Sequence, residues 1–213
     1  MTKNLLRHAV AAALVFSASA GTVCLLAASP AYADSRSDFI EAVVPAAQQS
    51  ESDYGVPASV TIAQAVLESG WGQSGLATRS SNYFGIKCGS SGPGPFATGC
   101  RDYPTQECTP ACHTVTASFR VYTSLQDSVR DHGHLLRDSP RYANAFDHTD
   151  DPDQFITDIW TDGYATDPDY PKQVIALMRA YDLYQYDADP LSLAATADSA
   201  DAVGNWAVST VQR

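Results

Sequence analysis

Glutamate is scarce in this 213-residue sequence: of 24 acidic side chains, only Glu41, Glu51, Glu68 and Glu107 are Glu. Glu68 has the surroundings that tune a carboxyl for proton transfer. It follows the run Ala63-Gln64-Ala65-Val66-Leu67 and precedes Ser69-Gly70-Trp71-Gly72, which sets it at a helix C-terminus beside an indole and two glycines. The negative end of the helix dipole and apolar cover both disfavour a carboxylate, raising the pKa towards that of a general acid. A glutamate at a helix end also serves structure, and these surroundings alone leave both readings open. Glu41 and Glu51 are expected on the solvent side of the preceding helix, as hydrated surface charge.

The apolar spacing outlines the elements that must position Glu68. Ser35 to Tyr54 sets Phe39, Val43, Ala46 and Ala47 at helical spacing with Pro45 inside, and ends before Gly55. Pro57 suits the first position of a second helix, whose face carries Val60, Ala63, Gln64 and Leu67 and which stops near Gly70. A helical turn follows at Gly75 to Ser80. After a Gly/Ser/Pro-rich stretch from Cys88 to Gly99, Arg101 to Glu107 and His113 to Tyr122 predict an antiparallel pair. Helices are expected again over Ser124 to Arg137, Pro140 to Phe146, Asp153 to Gly163, and Pro168 to Tyr184. The fold class is therefore α+β, mostly helical with one small antiparallel hairpin.

Four ordered blocks carry a resemblance: Gln64-Ala65-Val66-Leu67-Glu68-Ser69-Gly70-Trp71-Gly72, Asn82-Tyr83-Phe84-Gly85-Ile86-Lys87, Phe119-Arg120-Val121-Tyr122, and Tyr164-Ala165-Thr166-Asp167-Pro168-Asp169-Tyr170-Pro171. In these the chain resembles the glucosaminidase family of bacterial autolysins, glycoside hydrolase family 73, over roughly Phe39 to Tyr184. The resemblance implies a lysozyme-like fold and cleavage of the β-1,4 bond between N-acetylglucosamine and N-acetylmuramic acid in peptidoglycan. Glu68 matches the family's general acid. Thr105-Gln106-Glu107 resembles the T-x-E that supplies a second carboxylate, although Cys108 to Cys112 shortens the hairpin beyond it.

Three routes remain open for the second catalytic group. Carboxyls about 5 Å apart suit a nucleophile, about 6.5 to 9.5 Å leaves room for a water, and in the third route the substrate's own 2-acetamido oxygen attacks while a protein group orients it. Tyr164 and Tyr170 are candidates for that orienting group, and core or groove lining is the alternative for each. Trp71, Tyr83 and Phe84 are candidates to offer flat apolar faces to sugar rings, with Phe84 also suited to the core. Asn82 suits either an acetamido group or the neighbouring backbone. The same Glu68 serves an N-acetylmuramidase or lytic transglycosylase with a shifted subsite register. A catalytically silent wall-binding module is the non-enzymatic alternative.

Residues 1 to 33 read as a secretory signal peptide. Lys3 and Arg7 precede the apolar stretch from Ala9 to Ala28, and Ala31-Tyr32-Ala33 precedes Asp34 as an A-x-A cleavage site. A retained anchor is the rival reading, since the stretch is long enough to span a bilayer. Cleavage removes two basic residues and no acid, taking the net charge from −11 to −13. It also removes Cys24, leaving Cys88, Cys100, Cys108 and Cys112, an even set that in an exported chain favours disulfides. Of the three possible pairings, Cys88–Cys100 with Cys108–Cys112 closes short local loops; a zinc site lacks the paired knuckles it needs.

The acidic balance argues against nucleic acid, which is gripped by Lys and Arg displacing counterions, and against anionic lipid after the leader is removed. No metal or cofactor is implied. His132 and His134 point to different sides of their helix, and Asp147 to Asp153 lacks the central Gly and terminal Glu of a calcium loop and suits capping of the next helix. The expected organisation is a leader over 1–33, a catalytic domain over 34–188 and a flexible Ala-rich tail over 189–213. The expected protein is a secreted monomer acting on peptidoglycan strands, extracellular or bound to the cell wall.

Overall fold

The structure, a computed structural model, describes residues 30–188 other than residue 91 and residues 109–111. The described side chains exclude those of residues 30–34, 106–108, 112 and 113. Residues 1–29 of the expected leader over 1–33, the tail over 189–213, the Cys108–Cys112 pairing and the Glu107 carboxyl therefore lie outside the described residues, while residues 30–33 form the start of a helix.

The helix α2, Ala58–Ser69, is the centre of the molecule, with every residue from Ala58 to Val66 buried. Pro57 stands at its N-cap rather than at its first helical position. Its amide-less nitrogen costs nothing where no intrahelical acceptor exists. The helix stops at Gly70, which takes the left-handed conformation (φ 56°) and returns its N–H to Val66 O. Ser69 tightens this end, its hydroxyl donating to Ala65 O at 2.5 Å and accepting from Gly72 N at 2.7 Å. Gly72 is also left-handed (φ 74°), and a Cβ there would lie 2.7 Å from the Phe39 ring. The Ser-Gly-Trp-Gly sequence is thus the local machinery that ends α2 with Glu68 in its last turn.

Around α2 pack α1 (Pro30–Tyr54), α5 (Pro152–Thr161) and α6 (Tyr170–Ala180), with the short α3 (Gly75–Ser80) following it, and α4 (Leu125–Asp138) packs on α1. Val43, Ala47, Ile62, Val66, Leu136, Phe155, Ile159, Val174 and Met178 form one continuous core. Ser124 caps α4 by accepting from Asp127 N, and Asp151 caps α5 by accepting from Gln154 N, as the acidic stretch before it predicts. Pro140–His148 is a 3-10 helix. The helix expected over Pro168 to Tyr184 is divided, because α6 stops at Ala180 and Asp182 turns left-handed (φ 50°) before a 3-10 turn at Leu183–Tyr186. No helix among the described residues is long and apolar enough to cross a membrane.

The sheet pairs β1 (Gly99–Cys108) with β2 (Cys112–Val121), antiparallel, in a register running from Gly99 opposite Val121 to Cys108 opposite Cys112. Glu107 faces His113 in this ladder, one pair from the turn end. The segment before β1 docks on β2, with Cys88 N donating to Ser118 O and Arg120 N to Ile86 O. A Cys88–Cys100 disulfide fixes it there, as the loop spacing predicts. Arg120 and Tyr122 both donate to Asp131 Oδ2, at 2.7 and 2.6 Å, fastening β2 to α4.

Glu51 departs from the expected solvent face. It is 6% exposed, and its carboxylate accepts from Ala188 N while Asp187 Oδ1 accepts from Ser59 N at the start of α2. The segment over residues 183–188 returns across α1 and α2, a contact that helical spacing within α1 does not reveal.

Candidate active site

Glu68 opens into a cavity of about 810 Å³, within the range of small-ligand sites. Its walls come from distant parts of the chain: Phe84 to Lys87 before β1, His132 and Leu135 of α4, Arg141 and Tyr142 of the 3-10 helix, and the Gly163–Asp167 connection with Tyr170. The Glu68 side chain is solvent-accessible from the cavity, while the protein atoms around its carboxyl partly desolvate it. This burial raises its pKa above the usual carboxylate value, opposed in part by a hydrogen bond from Tyr170.

That hydrogen bond runs from the Tyr170 hydroxyl to Glu68 Oε1 at 2.8 Å, and Gln64 Nε2 donates to the same hydroxyl at 3.0 Å. Pro171 at the start of α6 fixes the helix entry, which brings Tyr170 against α2. Tyr164 lies beside Tyr170, with ring centroids 5.7 Å apart. Burial, and then the charge of Glu68, push the Tyr164 hydroxyl well above its ordinary pKa; burial, Tyr164 and Glu68 do the same to Tyr170. Both phenols therefore keep their protons, and Tyr170 gives its own in the bond to Glu68.

His132 stacks on Phe84 at 4.0 Å between centroids, and its edge meets the Tyr164 ring. Burial holds the imidazole down at about 3, so it is neutral, and both ring nitrogens are without a hydrogen-bond partner among the described residues. His134, two positions on, faces away and pairs with Asp138. Arg141 lies over the Tyr142 ring and is held by the Asp162 carbonyl through its Nε at 2.8 Å. Asp167 is a second carboxyl in the wall, but its oxygens accept from Asp169 N and Gln173 Nε2.

Of the residues singled out in the sequence, Glu68, Phe84, Tyr164 and Tyr170 meet at this cavity. Three others stand elsewhere. The Asn82 amide is spent inside its own loop, donating to Ile86 O and Arg120 O and accepting from Ile86 N, at 1% exposure. Trp71 is left-handed (φ 60°) and turns outward into a cluster with Phe39 and Tyr181, under the Arg36 guanidinium. Tyr83 packs on Phe39 in the same cluster. These three stand outside the walls of this cavity, in contacts that shape its supports. The sequence missed His132, Arg141 and Tyr142 as wall residues, because only the packing of α4 and the 3-10 helix turns them inward. Among the described residues no group of His, Cys, Asp or Glu can hold a metal ion.

A family model described as mannosyl-glycoprotein endo-beta-N-acetylglucosaminidase matches residues 44–183. The chain is 36% identical over 155 residues to the peptidoglycan hydrolase FlgJ of Pseudomonas aeruginosa, covering 71% of this chain and 38% of that protein. It is 34% identical over 160 residues to the exo-glucosaminidase LytG of Bacillus subtilis, covering 72% and 54%. The chain thus spans roughly two fifths to half of the length of these relatives. Among solved structures, the catalytic domain of the autolysin Auto from Listeria monocytogenes superposes with a TM-score of 0.64 at 29% identity, covering 76% of this chain and 92% of that one. The truncated glycoside hydrolase domain of Salmonella typhimurium FlgJ does so at 0.55 and 33%, covering 68% and 96%. With Glu68 at a cavity built by α2, α4, α6 and the segment before β1, this chain belongs to the glucosaminidase family, glycoside hydrolases of lysozyme-like fold.

Proposed function

We propose that the chain hydrolyses the β-1,4 bond between N-acetylglucosamine and N-acetylmuramic acid in peptidoglycan, as an endo-β-N-acetylglucosaminidase with Glu68 as general acid. The observation that carries this reading is the Glu68 carboxyl, raised by burial at the cavity and held by Tyr170. Such a carboxyl keeps its proton to higher pH than an ordinary glutamate. It gives that proton to the departing glycosidic oxygen as the C1–O bond breaks and an oxocarbenium-like centre develops, a step that contributes about 10²- to 10⁴-fold.

Tyr164 and Tyr170 stay protonated and work as donors. Tyr170 steadies Glu68, and Tyr164 steadies the 2-acetamido group or the attacking water beside it. Glu107 on the hairpin supplies the second carboxylate. Tyr164 offers an apolar face to the sugar rings, Phe84 is buried in the core and stacked on His132 behind the wall, and no cofactor takes part. The relatives named as peptidoglycan hydrolases support the substrate, and the leader pattern over residues 1–33 supports export of a monomer to the cell wall.

Digestion of purified peptidoglycan followed by mass spectrometry of the products tests the reading. Muropeptides with reducing N-acetylglucosamine ends are expected. Reducing muramic acid ends, or anhydro-muramic ends, would assign the chain to a muramidase or a lytic transglycosylase. The likeness to LytG favours one other outcome, release of single sugars from chain ends, which would make the enzyme exo-acting.

A further inference from the structure

Gln64 precedes Glu68 by one helical turn on α2 and is wholly buried among Ala63, Ala65 and Val66. Its amide donates to the Tyr170 hydroxyl, while its own Oε1 has no hydrogen-bond partner among the described residues. An orphaned buried acceptor is unfavourable, and an apolar side chain of similar size would avoid it. What the amide adds over such a side chain is the bond to the Tyr170 hydroxyl.

A phenol has one proton to give. With Gln64 Nε2 donating onto the Tyr170 oxygen, that proton is directed to the other neighbour, Glu68 Oε1. Donation onto the hydroxyl also polarises it, strengthening its own donation onward. The Glu68 oxygen that already receives a proton is the less basic of the two, which leaves Oε2 to hold the acid's own. We infer that Gln64 is a positioning residue for the catalytic acid: through Tyr170 it determines which Glu68 oxygen carries the transferable proton. The inference rests on Glu68 being the general acid.

The other ionisable groups around this carboxyl are Lys87 before β1, His132 of α4, Arg141 and Tyr142 of the 3-10 helix, and Tyr164 and Asp167 of the connection before α6. Gln64 reaches Glu68 through Tyr170 and through none of these, so its effect should vanish when the Tyr170 hydroxyl is removed.

The test is the pH dependence of hydrolysis of purified peptidoglycan by wild type, Gln64→Met, Tyr170→Phe, the double variant and Glu68→Gln, with folding checked by circular dichroism. Gln64→Leu replaces Gln64→Met if the latter does not fold. Gln64→Met is expected to lower the rate at its optimum by about tenfold and to move the alkaline limb upward, because a weaker donor lets Glu68 hold its proton longer. In the Tyr170→Phe background the same change is expected to alter the rate by less than about twofold. An unmoved limb would reduce Gln64 to a packing residue. A limb moved downward would mean that the amide oxygen takes the Tyr170 proton, and would also overturn the inference. An active Glu68→Gln would remove the general-acid reading itself, whereas an inactive one beside a wild-type Gln64→Met profile would remove only the role of Gln64.

Discussion

The Tyr170 hydroxyl donates to Glu68 Oε1 at 2.8 Å, joining the last turn of α2 to the first turn of α6 across 102 positions of sequence. The bond favours the ionised carboxyl while burial favours the protonated one, so Glu68 is held between opposing influences. Tyr170→Phe removes only the first. The variant is expected to hold the Glu68 proton to higher pH, moving the alkaline limb of the activity profile upward. The Gln64 amide is left unpaired, at a stability cost of about 1–3 kcal/mol. Denaturant melts and a pH profile read the two effects separately.

For Glu107, a direct acid or base role predicts that Glu107→Gln loses at least about tenfold in hydrolysis of purified peptidoglycan. Retention of more than about a tenth of wild-type activity would leave the second role to Tyr164 or to the substrate's own acetamido group.

Burial raises Glu51 from 4.5 to about 7, and raises Asp187 beside it. The folded state then binds protons that the unfolded chain has released, so stability falls as pH rises from about 4.5 to about 7 and stays at the lower level above. Glu51→Gln keeps an acceptor for the Ala188 N–H and removes the ionisation. It is expected to flatten this part of the curve and to add on the order of 1–2 kcal/mol above pH 7. Urea melts on either side of the window check this; a variant as pH-sensitive as wild type would contradict it.

The Cys88–Cys100 disulfide closes a loop with a sequence separation of 12. Replacing both with Ser should cost about 2–3 kcal/mol by chain entropy and release the Ile86–Cys88 segment from β2. Because Phe84 to Lys87 line the cavity, activity is expected to fall along with the denaturation midpoint.

Much of this was legible in the sequence, for identifiable reasons. Glycines and a small hydroxyl after Glu68 announced the end of α2, and alternating apolar residues from Val115 to Val121 announced β2. These features are local, and local chemistry decides them. Glu51 was misread because its burial comes from the returning segment at Asp187 and Ala188, which leaves no mark on α1. The place of Trp71, left-handed and set against Phe39 and Tyr181 outside this cavity, follows from the turn rather than from residue type. His132 and Tyr142 reach the cavity only through the packing of their elements. The pairing of Tyr170 with Glu68 was not legible, since no periodicity links residues so far apart.

The most direct measurement is peptidoglycan hydrolysis by Glu68→Gln beside wild type, with circular dichroism and thermal melts on both. The side chains match in shape, and Gln still accepts from the Tyr170 hydroxyl, so the fold and melting point are expected to persist. Activity is expected to drop by about 10²-fold or more. Equal loss of wall turbidity by a folded Glu68→Gln would contradict the account.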